Sequence, residues 1–323
     1  MEDVTFQKVS IVVLTYNSEK TISRCLSGIR ENDYPREALE VLVLDNGSTD
    51  HTLKIVEDMN VKYYSYPTLN ISQLRNRGVK IAQGEIVGFV DSDCIVAKDW
   101  VSNVVRNFQN EDVGIVGNEY LLPPDASYFE KNWYRECNRG LKYNDLIPAG
   151  NMAIKKCLFM KYGGFDESMQ TGEDAYIAQK YRDKGIKVLS DWRIKSVHLG
   201  NAKDLRTYFK KEIWYGLGML GTVKKGKFDK PFYITLIYFI IMLLFLLNIG
   251  IYIYDDNSIA AYGILLTGIG IIFIPLLAAA ERIYVKKRKG NILYVMLTFV
   301  VFLLARFVAL IYIARLLRYK KAT

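Results

Sequence analysis

The chain has 323 residues, half of them apolar and 24% charged, with a net charge of +9 at neutral pH. These values exclude a disordered polyelectrolyte and a wholly membrane-buried bundle, and the length suits one large domain or two ordinary ones. Cys25, Cys94, Cys137 and Cys157 show no CxxC spacing, and two histidines argue against the usual zinc ligand sets, so reducing, cytosolic conditions are the simpler reading.

The positive charge is unevenly placed. Residues 1–194 carry 24 Lys+Arg against 28 Asp+Glu, residues 195–230 carry 9 against 3, and residues 231–323 carry 10 against 3. The excess lies beside and between long apolar runs, which points to a membrane surface with anionic headgroups. No nucleic-acid partner is expected.

In chain order, Val9–Thr15 is a β-branched run that reads as a strand ending in Tyr16-Asn17-Ser18. Glu19–Arg30 then places Ile22, Leu26 and Ile29 on one helical face, with Ser18 in the N-cap position. Glu40–Leu44 is a second buried strand, stopped by Asp45-Asn46-Gly47-Ser48-Thr49-Asp50, and a helix begins near Thr52. Val61–Tyr66 is a third strand and Glu85–Val90 a fourth, stopped by Asp91-Ser92-Asp93. Strands alternating with helical stretches predict an α/β domain with a mostly parallel sheet. Such sheets bind ligands at the carboxyl ends of their strands, where Asn17, Asp45 and Asp91 fall.

The acidic positions carry the chemistry. Asp91-Ser92-Asp93 at a strand end offers alternate carboxylates to one pocket, where hard oxygens would hold Mg²⁺ or Mn²⁺. A purely structural turn is the other reading, since aspartates are common in turns. No GxxxxGK[ST] or GxGxxG follows a strand, against P-loop NTPases and Rossmann dehydrogenases. Gly172-Glu173-Asp174 opens a helix over Asp174–Lys184; its acids either answer the helix dipole or supply a carboxylate that takes a proton from a hydroxyl. His198 follows the strand-like Arg193–Val197 and reads either as a third metal or diphosphate ligand or as a satisfied polar residue, whereas His51 reads as an exposed helix-start residue.

Beyond these, DLRTYFKKEIWYGLGML at Asp204–Leu220 sets Leu205, Tyr208, Phe209, Ile213, Trp214, Leu217 and Leu220 opposite Arg206, Lys210 and Lys211. It reads as an amphipathic helix on the membrane surface, or as a helix packed inward by its apolar face. Pro231–Tyr254 and Asn257–Ala280 are each 24 residues without a charge, and Asn291–Ile313 is broken only by Arg306. All three are long enough to span a bilayer. Lys203–Lys230 is basic, Asp255-Asp256 acidic and Arg282 with Lys286–Lys289 basic, which puts the N-terminal domain in the cytoplasm. A third full crossing leaves Arg315, Arg318, Lys320 and Lys321 outside, so a re-entrant or interfacial third segment stays open. The polar start Met1–Lys8 carries no signal-peptide pattern. The expected division is a domain at 1–202, a basic surface segment at 203–230 and a membrane region at 231–323.

Taken in order, VSIVVLTYNSEKTISRCLSGI, VLVLDNGSTDHTLKIV, LRNRGVKIAQGEIVGFVDSDC and AGNMAIKKCLFMKYGGFDESMQTGEDAYIAQKYRDKGIKV resemble the family-2 glycosyltransferases of the GT-A fold, over about residues 8–200. The resemblance implies that Thr15, Tyr16, Asn17 and Asp45 line a nucleoside pocket, with Asp45 reaching the base and Arg75 approaching the nucleotide. It implies that Asp91 holds ribose or a metal-bound water, that Asp93 binds the divalent metal on the sugar diphosphate, and that Gly150 and Asn151 border the donor sugar. Asp174 of the Glu173-Asp174 pair would then be the general base. The QxxRW motif of the polymerising members is missing, against a processive synthase.

Spanning helices point to a lipid-linked acceptor. The expected activity is inverting transfer from a UDP- or GDP-sugar to a hydroxyl of a polyprenyl-linked glycan. A polyprenyl-phosphate sugar synthase is the alternative, since an anionic phosphate needs no base. A non-catalytic, membrane-tethered sugar-binding module is a further one.

Overall fold

The computed structural model of the chain describes residues 6–134, 140–143, 147–169, 171–218, 230–255, 257–285 and 290–322. Cys137, Leu220, Lys224, Lys225, Lys227, Asp256 and Lys286–Lys289 lie outside the described residues, as do the side chains of Lys230, Arg315, Arg318, Lys320 and Lys321. The chain forms two compact units, Met1–Pro124 with Arg135–Asn201, and Asp125–Tyr134 with Ala202–Thr323. Residues 125–134, inside the expected first domain, thus belong with the C-terminal helices.

The first unit is built on Val9–Thr15 (β1). All seven of its residues are buried, because helices cover both faces of the sheet. Ile11 and Val13 join one core with Ile22–Arg30 (α1) and Trp100–Phe108 (α4). Val12 and Leu14 join the other, with Ile71–Ile81 (α3), Lys156–Tyr162 (α6) and Glu173–Arg182 (α7). This alternation is the two-residue period of a strand. Thr52–Asp58 (α2) follows the second strand.

Leu39–Asp45 (β2) and Ile86–Asp91 (β4) flank β1 in parallel, and Lys62–Ser65 (β3) extends β2. Thr15 stands beside Asp45 and Leu14 beside Asp91, so the three strands end together. The full order is β3-β2-β1-β4-β8-β6-β9-β7, with Val113–Gly117 (β6), Leu141–Tyr143 (β7), Asn151–Lys155 (β8) and Lys187–Asp191 (β9). β8 runs antiparallel to β4 and β6, and β7 antiparallel to β9, whereas β6 and β9 are parallel. The predicted sheet therefore continues past an inverted strand. Cys94–Val96 (β5) and Ser196–His198 (β10) form a separate antiparallel pair that sets His198 opposite Cys94. The strand expected from Arg193 starts later because Asp191 turns the chain, accepting from the backbone N–H of Arg193 and Ile194.

One expected cap is corrected. Thr21 precedes α1, and Ser18 caps nothing through its side chain. Its carbonyl accepts from Thr21 and Ile22, while its hydroxyl lies 2.7 Å from that of Ser92.

The second unit comprises Tyr128–Trp133 (α5), Leu205–Gly218 (α8), Lys230–Asp255 (α9), Ser258–Ala280 (α10) and Ile292–Ala322 (α11). A capping box, Ser127 with Glu130, starts α5. Phe232–Asp255, Ser258–Val285 and Ile292–Tyr312 are helices long and apolar enough to cross a membrane. Leu243, Ile253 and Leu266 lie more than half exposed, as on helices that are apolar all round. The third run is one uninterrupted helix through Arg306, without the break of a re-entrant segment.

Within this unit α8 departs from its expected face. Tyr208 and Glu212 are buried and Gly216 abuts Ala309 and Arg306 of α11, while Trp214 and Tyr215 stay exposed. Arg306 donates to Glu212 Oε2 from Nη2 at 2.8 Å and from Nε at 3.1 Å. A carboxylate in the middle of the expected apolar face thus answers the one charge of the third apolar run.

Candidate active site

The carboxyl ends of β1, β2 and β4 carry the loops the sequence singles out. Asn17 has a φ of 47°, a left-handed conformation that Asn tolerates because its short amide bonds locally. Its Oδ1 accepts from Thr49 N–H at 2.8 Å and its own N–H donates to Ser48 Oγ, tying the β1 loop to the β2 loop. Tyr16 is exposed beside them, and the buried Thr15 hydroxyl has no hydrogen-bond partner among the described residues.

Asp45, expected at the base, closes β2. It is fully buried and accepts from the N–H groups of Gly47 and Ser48 and the hydroxyls of Ser48 and Ser65. Those donors make it the organiser of its own loop.

At the end of β4 the two aspartates part company. Asp93 Oδ2 lies 3.3 Å from His198 Nε2, and Asp93, Cys94 and His198 form the metal-capable cluster among the described residues. Burial, with the charges of Asp91 and Asp93, raises the Cys94 thiol well above its ordinary range. The Asp93 carboxylate and the His198 imidazole make a donor set for a divalent cation. Gly200 leaves room for them, since a Cβ there would fall on Asp93 Oδ2. Asn201 Oδ1, 2.7 Å from His198 Nδ1, fixes the ring and leaves Nε2 facing Asp93. Burial works against the charged imidazole, but the hydrogen bond and charge of Asp93 outweigh it and raise the His198 pKa.

Asp91 turns the other way. Arg75 Nη2 donates to its Oδ1 and the Tyr120 hydroxyl to its Oδ2, both at 3.3 Å. Arg75, expected at the nucleotide, has a side chain only 2% exposed, and its Nη1 donates to Glu173 Oε1 at 2.5 Å. It is a buried cation holding a carboxylate from β4 and another from α7 together. Burial pushes the Glu173 carboxyl up, with Arg75 opposing.

Asp174, the next residue, is half-buried. Burial raises its carboxyl, opposed by the backbone N–H of Ala175, the charge of Arg75 and the backbone N–H of Ala149. Glu173 and Asp174 thus divide the work, one inward on Arg75 and one at the edge of the site. Gly150 beside Ala149 is required by space, as a Cβ would fall on Asp91 Oδ2 and the Tyr120 hydroxyl.

Asn151 is fully buried. Its Oδ1 accepts from Trp100 Nε1 and its amide donates to the carbonyls of Asn118 and Ile194. Every polar atom of that side chain is hydrogen-bonded within the fold. A separate cleft of about 510 Å³, lined by Gln7, Gly84, Glu85, Lys155 and Cys157, lies at the other ends of β1 and β4 and holds none of these residues. Sequence reasoning missed Tyr120, Gly200 and Asn201, which lie in no periodic pattern or motif.

Residues 10–161 match the family description "Glycosyl transferase family 2". Glycosyltransferase AglE of Haloferax volcanii is 23% identical over 227 residues, covering 67% of this chain and 74% of that protein. The dolichyl N-acetyl-alpha-D-glucosaminyl phosphate 3-beta-D-2,3-diacetamido-2,3-dideoxy-beta-D-glucuronosyltransferase of Methanococcus voltae is also 23% identical, over 68% of this chain and 75% of that one. Among solved structures, the Pyrobaculum calidifontis mannosyltransferase PcManGT, in complex with GDP-Man and Mn²⁺, shares the fold with a TM-score of 0.60 at 21% identity, over 94% of this chain and 87% of that one.

Proposed function

We propose that this chain, a family-2 glycosyltransferase of the GT-A fold with a C-terminal region of three apolar helices, transfers a sugar with inversion from a nucleotide-sugar to a hydroxyl of a polyprenyl-linked glycan. The observation that carries the reading is the placement of Asp174: it stands beside a fixed Glu173–Arg75 pair, half-exposed and with a raised pKa. Spanning-length helices and the lipid-linked acceptor in the name of the Methanococcus voltae relative support the lipid part. The basic Lys203–Lys230 stretch supports a cytoplasmic catalytic unit and a membrane-surface role for that segment.

Asp174 takes the proton of the acceptor hydroxyl as its oxygen attacks C1 of the donor sugar. The bond from C1 to the diphosphate oxygen breaks on the opposite face, and the nucleoside diphosphate leaves with the electron pair. Asp93 and His198 would hold a divalent cation, which would supply positive charge against that leaving group. Arg75 keeps Asp91 and Glu173 fixed from within, and the Asn17 and Asp45 loops form the floor on the nucleoside side.

The test uses the full chain in detergent with Mn²⁺ or Mg²⁺, a panel of UDP- and GDP-sugars, and two acceptors: polyprenyl phosphate and a polyprenyl-diphosphate-linked sugar. Transfer to the glycan alone, lost in Asp93→Ala and falling about 10²–10⁴-fold in Asp174→Asn, is the expected result. Transfer to polyprenyl phosphate that ignores Asp174→Asn would replace this reading with a lipid-phosphate sugar synthase. Metal-dependent donor hydrolysis without acceptor separates either enzyme from a sugar-binding module.

A further inference from the structure

Tyr120 lies three residues beyond β6, in a loop that no motif marks. Its ring stacks on the His198 imidazole, with centroids 4.5 Å apart and planes within 15°. Its hydroxyl donates to Asp91 Oδ2 at 3.3 Å. The neighbouring backbone is locked to β10: Leu121 N–H donates to the Ser196 carbonyl, and His198 N–H donates to the Leu121 carbonyl. The ring thus comes with the strand that carries His198. Gly150 completes the arrangement, because any Cβ there would occupy the place where Asp91 and the Tyr120 hydroxyl meet.

We propose that Tyr120 is a positioning residue of the metal centre, whose ring sets the plane of the His198 imidazole and whose hydroxyl holds Asp91 away from Asp93. The inference rests on the reading that Asp93 and His198 hold the cation. An imidazole held at Nδ1 by Asn201 and at Nε2 by Asp93 can still rock about the line joining the two nitrogens, and a stacked face removes that freedom. A carboxylate with one oxygen on Arg75 and the other on Tyr120 is kept where it lies, so the cation meets one aspartate and one imidazole. Tyr120 therefore couples the first acid of the Asp91-Ser92-Asp93 turn to the ligand histidine 107 residues later without touching the cation.

The experiment compares the full chain in detergent as wild type, Tyr120→Phe, Tyr120→Leu, Tyr120→Trp and Asp93→Ala. Mn²⁺ binding is read from the electron-spin signal of the free ion, without donor or acceptor. The ring protons of His51 and His198, the only two histidines, are read by NMR without metal. Tyr120→Leu should weaken Mn²⁺ about three- to tenfold and move the His198 ring protons downfield as the ring current is lost. Tyr120→Trp, which keeps a flat face, should restore both. Tyr120→Phe should keep the Mn²⁺ affinity and the His198 signals while raising the donor KM, because only Asp91 is released.

If Asp93→Ala loses Mn²⁺ and Tyr120→Leu does not, the Tyr120 assignment falls and the metal site stands. Wild type that binds Mn²⁺ no better than Asp93→Ala overturns the metal reading and the assignment with it. If Tyr120→Leu does not fold, the Phe variant decides alone, and an unchanged donor KM overturns the proposal.

Discussion

Arg306 of α11 and Glu212 of α8 form a guanidinium–carboxylate pair at 2.8 Å across 94 residues of chain. Both side chains are largely buried, at 16% and 11% exposure, so neither charge has water to replace the other. Removing one partner takes away the charge that answers the other inside a largely buried contact. Glu212→Ala or Arg306→Met should each cost about 3–5 kcal/mol, whereas the double change Glu212→Leu with Arg306→Met should recover most of that. Thermal unfolding in detergent reads the difference, and single variants as stable as wild type would sink the idea.

Arg75 presents the same problem inside the first unit. Arg75→Met strands Glu173 and frees Asp91, so both stability and turnover should fall, the former by about 3–5 kcal/mol. Glu173→Gln keeps a hydrogen-bond acceptor for Arg75 and should cost less stability than Arg75→Met. Equal losses in the two variants would argue that Arg75 does not hold the pair.

Two glycines are required by the carboxylates above them. Gly200→Ala would drive a methyl into Asp93 Oδ2, and Gly150→Ala one into Asp91 Oδ2. Displacing a reacting group's support by about 1 Å can cost about 10²-fold, so each variant should lose at least that in kcat/KM with all named acids still present. Circular dichroism checks that the variants fold. Activity within a few-fold of wild type would show that these carboxylates are not tightly placed.

The pH dependence has opposite signs for folding and for catalysis. Burial raises the Glu173 and Asp174 carboxyls, so the folded chain holds their protons more tightly than the unfolded chain. Their contribution to stability is full below the unfolded values and is lost as pH rises through the folded ones. Catalysis needs ionised Asp174, so kcat should rise with pH along a limb above about 3.9, the ordinary aspartate value. A kcat profile at saturating donor tests this. A limb that survives unchanged in Asp174→Asn would remove Asp174 from the role of base.

β1, β2 and β4 were legible because each carries an apolar run stopped by polar or acidic residues, as parallel strands covered on both faces must be. β6 and β8 were not, since Val113–Gly117 carries two glycines and Asn151–Lys155 opens on an amide and ends on a charge. Asp91, Asp93, Glu173 and Asp174 could be picked out as acids at element ends. Which pair faces inward depends on Arg75, whose partner Glu173 is 98 residues away, and no local pattern carries that distance. Glu212 escaped for the opposite reason, as a single acid in an apolar helix face looks like a blemish until Arg306 is placed beside it.

The ten residues Asp125–Tyr134 have a consequence for synthesis and for protein engineering. Phe129 and Trp133 rest on Tyr208, and Trp133 also on Phe299. Asn132 Oδ1 accepts from Asn291 N–H, 159 residues later. On the ribosome these rings emerge long before the helices that cover them, so this stretch stays bare until the last apolar helix has been made. A version cut after Asn201 to make a handier soluble enzyme would keep them bare permanently, and should be recovered as aggregates unless Phe129 and Trp133 are replaced by polar residues.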